Sequence, residues 1–132
     1  MDEARLANAA RFFFDEFVGA FSTFDGNEIA RRYQAPYLAL RADGSTQCFS
    51  ADADIAKYFQ DVVDNYHRSG CRSCRYRDLE VQALGKRSAL ATVTWDLLED
   101  DGTRLVSWRE SYNLTSVGES LRVVASATTL AR

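Results

Sequence analysis

Hydrophobic positions recur every three or four residues along the first half of the chain and every two residues from Cys71 onward. Leu6, Ala10, Phe13, Phe17, Ala20 and Phe24 fall on helical steps, and Phe14, Val18 and Phe21 add a second stripe beside them. Residues 2–24 therefore predict a helix with an apolar face wide enough to be buried on more than one side. Asp25-Gly26-Asn27-Glu28 reads as a stop followed by a start, with Asp25 capping a short second helix and Glu28 reaching back to it. That helix carries Ile29, Ala30 and Tyr33 and must end before Pro36. Residues 37–41 and 47–50 alternate around Ala42-Asp43-Gly44-Ser45, the pattern of a small hairpin. Ser50 stands where it can cap a third helix, with Asp52 and Asp54 in the first turn, where the helix dipole favours anions. Ile55, Tyr58, Phe59, Val62 and Tyr66 form the stripe of this helix, and Gly70 ends it.

After Cys71 four strands are predicted over residues 71–84, 88–99, 104–116 and 120–130. Gly85-Lys86-Arg87, Asp100-Asp101-Gly102-Thr103 and Val117-Gly118-Glu119 connect them. Connections this short make an antiparallel meander. If the second of them closes a hairpin, Leu97 faces Val106, Trp95 faces Trp108, Val93 faces Glu110 and Ala91 faces Tyr112. Leu79 and Val81 extend that face on one side, and Leu121, Val123, Ala125 and Ala127 on the other. The opposite face is polar throughout, with Asp78, Glu80, Thr92, Thr94, Asp96, Ser107, Arg109, Ser111, Asn113, Arg122, Ser126 and Thr128. The pattern as a whole predicts an α+β fold in which three N-terminal helices pack on a strongly curved antiparallel β-sheet and cover its apolar face.

Glu110 breaks that face. It falls between Trp108 and Tyr112, with Val93 and Ala125 expected beside it. A carboxylate in such a place is costly unless paired, wet or protonated. Local rules of this kind are broken mostly at functional or strained sites. Two kinds of reading stand: an acid or base inside a pocket, or, more plainly, either an ion pair with Arg77 or another arginine at the sheet rim or simple exposure where the sheet curls away from the helices.

Composition narrows the classes. With 132 residues, 46% hydrophobic and 27% charged, the chain is read as one domain over residues 1–132, large enough for a core without disulfides or metals. A net charge of −3 gives no field toward nucleic acid or an acidic membrane, and no apolar run is long enough to span a bilayer. Acids among the first apolar residues do not match a signal peptide, and an odd count of three cysteines fits reduced thiols, so a cytoplasmic protein is expected. Gly70-Cys71-Arg72-Ser73-Cys74-Arg75 has a metal-like spacing. At the start of a strand, however, the two thiols should point to opposite faces, and His67 is the only histidine. No metal site is therefore read there, and Cys48 is taken as an ordinary strand residue. The arginines at 68, 72, 75 and 77 are followed by Asp78 and Glu80, which fits a solvated face better than a nucleic-acid site. Neither a phosphate-binding glycine loop nor a nucleophile elbow is present.

Three helices, a hairpin between the second and third, and a long four-stranded meander, together with the phrases at residues 24–40 and 101–114, resemble the nuclear transport factor 2-like superfamily. This cystatin-like, cone-shaped α+β barrel also includes ketosteroid isomerase and the small SnoaL-like polyketide cyclases. The resemblance implies a pocket between the helices and the concave face of the sheet, and homodimers that pair through the sheets. It implies no common chemistry. The catalytic sets of the superfamily do not carry over: the first helix offers phenylalanines and no tyrosine, Ala35-Pro36-Tyr37-Leu38 follows the second, and Asp43 lies out in the turn.

Three functions remain in view. One is a module that binds a small apolar or aromatic ligand, with Tyr33, Tyr37, Tyr58, Trp95, Trp108 and Tyr112 as its lining. The second is a small cofactor-independent enzyme, an isomerase, dehydratase or cyclase, with Glu110 as acid or base. The third is an association domain whose work is the dimer. No cofactor is implied, and the expected partners are the ligand and a second copy of the chain.

Overall fold

The computed structural model describes residues 3–129. Helix α1 (Glu3–Phe21) is followed by the short α2 (Gly26–Ala30), the strands β1 (Tyr33–Leu40) and β2 (Thr46–Phe49), and helix α3 (Asp52–Arg68). The meander then runs through β3 (Ser73–Ala83), β4 (Ser88–Leu98), β5 (Arg104–Val117) and β6 (Ser120–Thr129). All six strands form one sheet in the order β2-β1-β6-β5-β4-β3. This is the expected α+β fold, helices on one face of a curved, mostly antiparallel sheet. The pattern did not foretell that the hairpin joins the meander: β1 lies parallel to β6, with Leu38 beside Ala125 and Leu40 beside Ala127. A parallel partner is reached through the whole intervening chain, so no local turn announces it.

The central hairpin has the expected register, with Trp95 opposite Trp108, Val93 opposite Glu110 and Ala91 opposite Tyr112. The last strand does not. Leu114 pairs with Val123, but Asn113 pairs with Ala125, so Val124 is an extra residue that bulges out of the ladder. Beyond it every side chain of β6 changes face. Ser126 and Thr128, expected on the polar face, come to the helix-covered side opposite Tyr112 and Glu110. Ala125 and Ala127 move to the outer face, so Ala125 is not the inner neighbour of Glu110. A second irregularity in β3, where Arg77 pairs with Thr94 and Glu80 with Thr92, leaves Asp78 at a positive φ of 56° and bends the sheet.

Other boundaries shift. The first helix stops at Phe21 rather than Phe24, which sits in a turn at a φ of 51°. Asp25 caps α2, accepting from the amide of Asn27. Tyr33 opens β1 instead of belonging to α2. Ala51, not Ser50, is the N-cap of α3, and it brings no side-chain cap. Cys71 and Cys74 are both buried, because the strand begins only at Ser73 and alternation does not govern Cys71. The predicted residues 2 and 130 lie outside the described part.

The core forms where the phenylalanine stripes of α1 meet the inner face of the sheet. Phe14 is fully buried, with ring centroids 5.5 Å from both Tyr76 and Tyr112 and 6.0 Å from Trp95. Helix α2 rests on α3, where the Gly26 amide donates to Oε1 of Gln60 at 2.7 Å and Nε2 of Gln60 donates to the carbonyl of Phe24 at 3.2 Å.

On the outer face Asp96 has no exposed surface. Nε of Arg75 and of Arg77 each lie 2.9 Å from its Oδ2, and the Ser107 hydroxyl donates to Oδ1. Burial pushes this carboxyl up, but the hydrogen bonds from Arg77, Ser107 and Arg75 together hold it well below the usual range. Arg109, on the same face, bridges to Glu80 at 2.8 Å rather than to Asp96. Among the described residues no helix is long and apolar enough to cross a membrane.

Candidate functional site

Residues at alternate positions of β1, β4, β5 and β6 face α3 and the end of α1 across a cavity of about 260 Å³. Its walls include Tyr33, Tyr37, Tyr58, Trp95, Trp108, Tyr112 and Glu110, so all seven side chains read from the sequence meet in one place. The register makes this so. Trp108, Glu110 and Tyr112 are successive inward positions of β5, and Tyr33 and Tyr37 come from β1 two strands away. Tyr58 lies on α3, its ring centroid 4.8 Å from that of Phe49 and 5.0 Å from that of Phe59. Tyr33 and Tyr37 meet edge to face at 4.7 Å.

Ser126 and Thr128 also line the cavity, and the sequence pattern missed both. No glycine or proline marks the bulge that turns them inward; only the paired ladder reveals it. Each takes part in the cavity's polar wiring. The Thr128 hydroxyl donates to Oε1 of Glu110 at 2.7 Å, and Nε1 of Trp108 donates to the same oxygen at 3.1 Å. The hydroxyls of Tyr37 and Ser126 are 2.6 Å apart. Nε1 of Trp95 donates to the Tyr112 hydroxyl at 2.7 Å, which leaves the phenol proton free for another acceptor.

Glu110 is 8% exposed and, among the described residues, forms no ion pair. Arg77, its expected partner in the ion-pair reading, points to the outer face and binds Asp96. Burial raises the carboxyl above its ordinary value, and the hydrogen bonds from Thr128, Ser126 and Trp108 offset that only in part. Burial likewise pushes Tyr33 and Tyr112 well above the usual phenol range and Tyr66 up to about 12, so these phenols stay neutral donors at any ordinary pH. His67 is exposed and is not part of the cavity wall. Among the described residues no three His, Cys, Asp or Glu side chains are grouped to hold a metal ion.

Because its folded-state pKa lies above the unfolded value of about 4.3, Glu110 subtracts stability as pH rises through that window, and the loss is complete above the folded pKa. Glu110→Gln keeps the shape and removes the charge. Its thermal midpoint at pH 7 is expected to equal or exceed that of the wild type, with the difference vanishing below about pH 4. A lower midpoint at pH 7 would mean that the charge is stabilising.

A cone of helices over a curved sheet with its cavity on the concave face defines the nuclear transport factor 2-like class. Residues 3–131 match the model of a family described as NTF2-like protein (DUF6841), and the chain belongs to that family. Solved structures show the same fold at low identity. An NTF2-like protein with a cystatin-like fold from Novosphingobium aromaticivorans is 13% identical, with a TM-score of 0.74 over 96% of this chain and 82% of its own. A domain of unknown function with a cystatin-like fold from Nostoc punctiforme is 16% identical, with a TM-score of 0.72 over 98% of this chain and 79% of its own. An NTF2-like protein of unknown function from Shewanella oneidensis is 9% identical, with a TM-score of 0.72 over 93% of this chain and 98% of its own. None of the curated proteins matches the sequence.

Proposed function

We propose that the protein binds a small molecule with an aromatic or apolar body in the cavity between α3 and the sheet. The observation that carries this reading is the cavity itself: about 260 Å³, walled by tyrosine, tryptophan and phenylalanine, with one carboxyl and a few hydroxyls at fixed positions. An apolar wall with few convergent polar groups is the usual make-up of a small-molecule site. A cavity of about 150 Å³ already holds benzene, so this one has room for a single ring with a short polar arm. An open cavity also favours a binder over a pure association domain, whose interior could be filled.

The test is mass spectrometry of protein purified gently from native expression, followed by titration of one-ring aromatic compounds against tryptophan fluorescence. Ala39 lines the cavity and is small. Ala39→Leu should fill part of it and weaken binding by tenfold or more, about 1.4 kcal/mol. Unchanged affinity in that variant would place the ligand elsewhere.

A second reading, acid–base chemistry on the bound molecule, is favoured by the raised Glu110 carboxyl beside the donor phenols of Tyr37 and Tyr112. Turnover lost in Glu110→Gln with binding retained would select it.

Among the described residues no helix covers the outer face of the sheet, and Thr92, Thr94, Arg109 and Ser111 present mixed short polar and charged groups there. Such a face can be self-complementary about a two-fold axis. In our reading the chain forms a homodimer through it, burying on the order of 1,600 Å². Sedimentation at micromolar concentration should find the dimer, and monomer alone would refute it.

A further inference from the structure

We infer that the molecule held in this cavity carries a positively charged nitrogen, seated against Glu110 and the faces of the surrounding tyrosines. The inference rests on the binding role proposed above and names the chemistry of the ligand. Glu110 is a buried carboxylate whose surroundings prepare it for charge without supplying a counter-charge. Nε1 of Trp108 can only donate, and it and the Thr128 hydroxyl both give hydrogen bonds to Oε1. Donated hydrogen bonds stabilise the ionised form, and two of them converge on one carboxyl oxygen. Among the described residues no cation completes the set. Arg75 and Arg77 bind Asp96 on the other side of the sheet, and Arg109 binds Glu80.

Among the described residues Arg41 is the one cationic side chain in the cavity wall, and it is engaged elsewhere. Its Nη2 donates to Oε1 of Gln47 at 2.5 Å and its guanidinium lies 5.9 Å from the centroid of Tyr58. Leu40 pairs with Ala127 and Thr128 with Glu110, so the Arg41 backbone lies two strands from that of Glu110, about 10 Å at the usual strand spacing. Among the described residues the two side chains form no ion pair.

The rest of the surroundings suits a cation and no other charge. Tyr33 and Tyr37 from β1, Tyr66 from α3 and Tyr112 from β5 all feel the carboxyl's charge. None of these phenols ionises at ordinary pH, and their ring faces attract cations and repel anions. An anionic ligand would meet a carboxylate and aromatic faces together. A neutral one would leave the buried charge uncompensated.

Three probes share a phenethyl-type body and differ in the end group: phenethylamine, phenethyl alcohol and hydrocinnamate. Their affinities are read by tryptophan fluorescence and by calorimetry at pH 7. The amine is expected to bind at least tenfold tighter than the alcohol, with the acid weakest. In Glu110→Gln the amine-to-alcohol affinity ratio should fall to near one. The wild-type ratio alone decides the matter if that variant does not fold. An alcohol or acid that binds as tightly as the amine overturns the inference and leaves the cavity as a binding site. If none of the three binds, the binding role falls and the inference with it.

Discussion

Gly26→Ala is expected to destabilise the protein by about 3 kcal/mol or more, at the upper end of what overpacking costs. Gly26 stands where α2 crosses α3, and the two backbones meet there without a side chain between them. A methyl group on Gly26 would collide with the carbonyl oxygen of Ala56 and would lie 2.6 Å from the amide nitrogen and 2.9 Å from the Cα of Gln60. All three obstacles are backbone atoms of a helix, so none can rotate aside; the helices must separate. Separation would also stretch the 2.7 Å bond from the Gly26 amide to Gln60. Thermal unfolding followed by circular dichroism should show a midpoint about 10 °C or more below the wild type. A shift of under about 2 °C would show that the crossing has slack. Because α3 carries Tyr58, Phe59 and Tyr66 into the cavity wall, the same variant should weaken ligand binding as well.

Phe14→Ala should cost about 3–5 kcal/mol, the range for truncating a buried aromatic ring. Phe14 has no exposed surface and packs on Tyr76, Trp95 and Tyr112 behind the cavity, while the cavity wall itself belongs to its neighbours. Its removal leaves a void between α1 and the sheet that neither rigid layer can close. Urea unfolding should give a lower midpoint with the slope little changed. A loss under about 1 kcal/mol would mean that α1 can settle into the void.

Both predictions draw on features of unequal visibility in the sequence. The place of Phe14 on the inner side follows from helical spacing alone. So does the inward position of Glu110: the hairpin has a register shift beside its turn, between Leu97 and Leu98, but from Leu97 back to Ser88 the pairing keeps the parity that the alternation gives. Tyr33, Tyr37 and Tyr58 were legible as apolar-face residues, although Tyr33 was assigned to a helix; the strand it opens exists because β6 offers it a partner from the far end of the chain. The contact behind Gly26 was invisible, since a glycine after Asp25 reads as a turn whether or not another helix touches it. Cys71 was misplaced for a similar reason: alternation was applied two residues before the ladder begins.

The bulge at Val124 has a consequence for how such a site can change over generations. The polar end of the cavity is set by strand register as much as by residue identity. If Val124 instead took a regular place in the ladder opposite Asn113, Ala125 would pair with Tyr112 and Ala127 with Glu110, presenting alanines to the carboxyl and hydroxyls to the outer surface. Gain or loss of the bulge rewrites both the binding chemistry and the outer face at once, while the hydrophobic pattern that folds the chain stays legible. Relatives could thus share the fold and differ in their ligands through register alone.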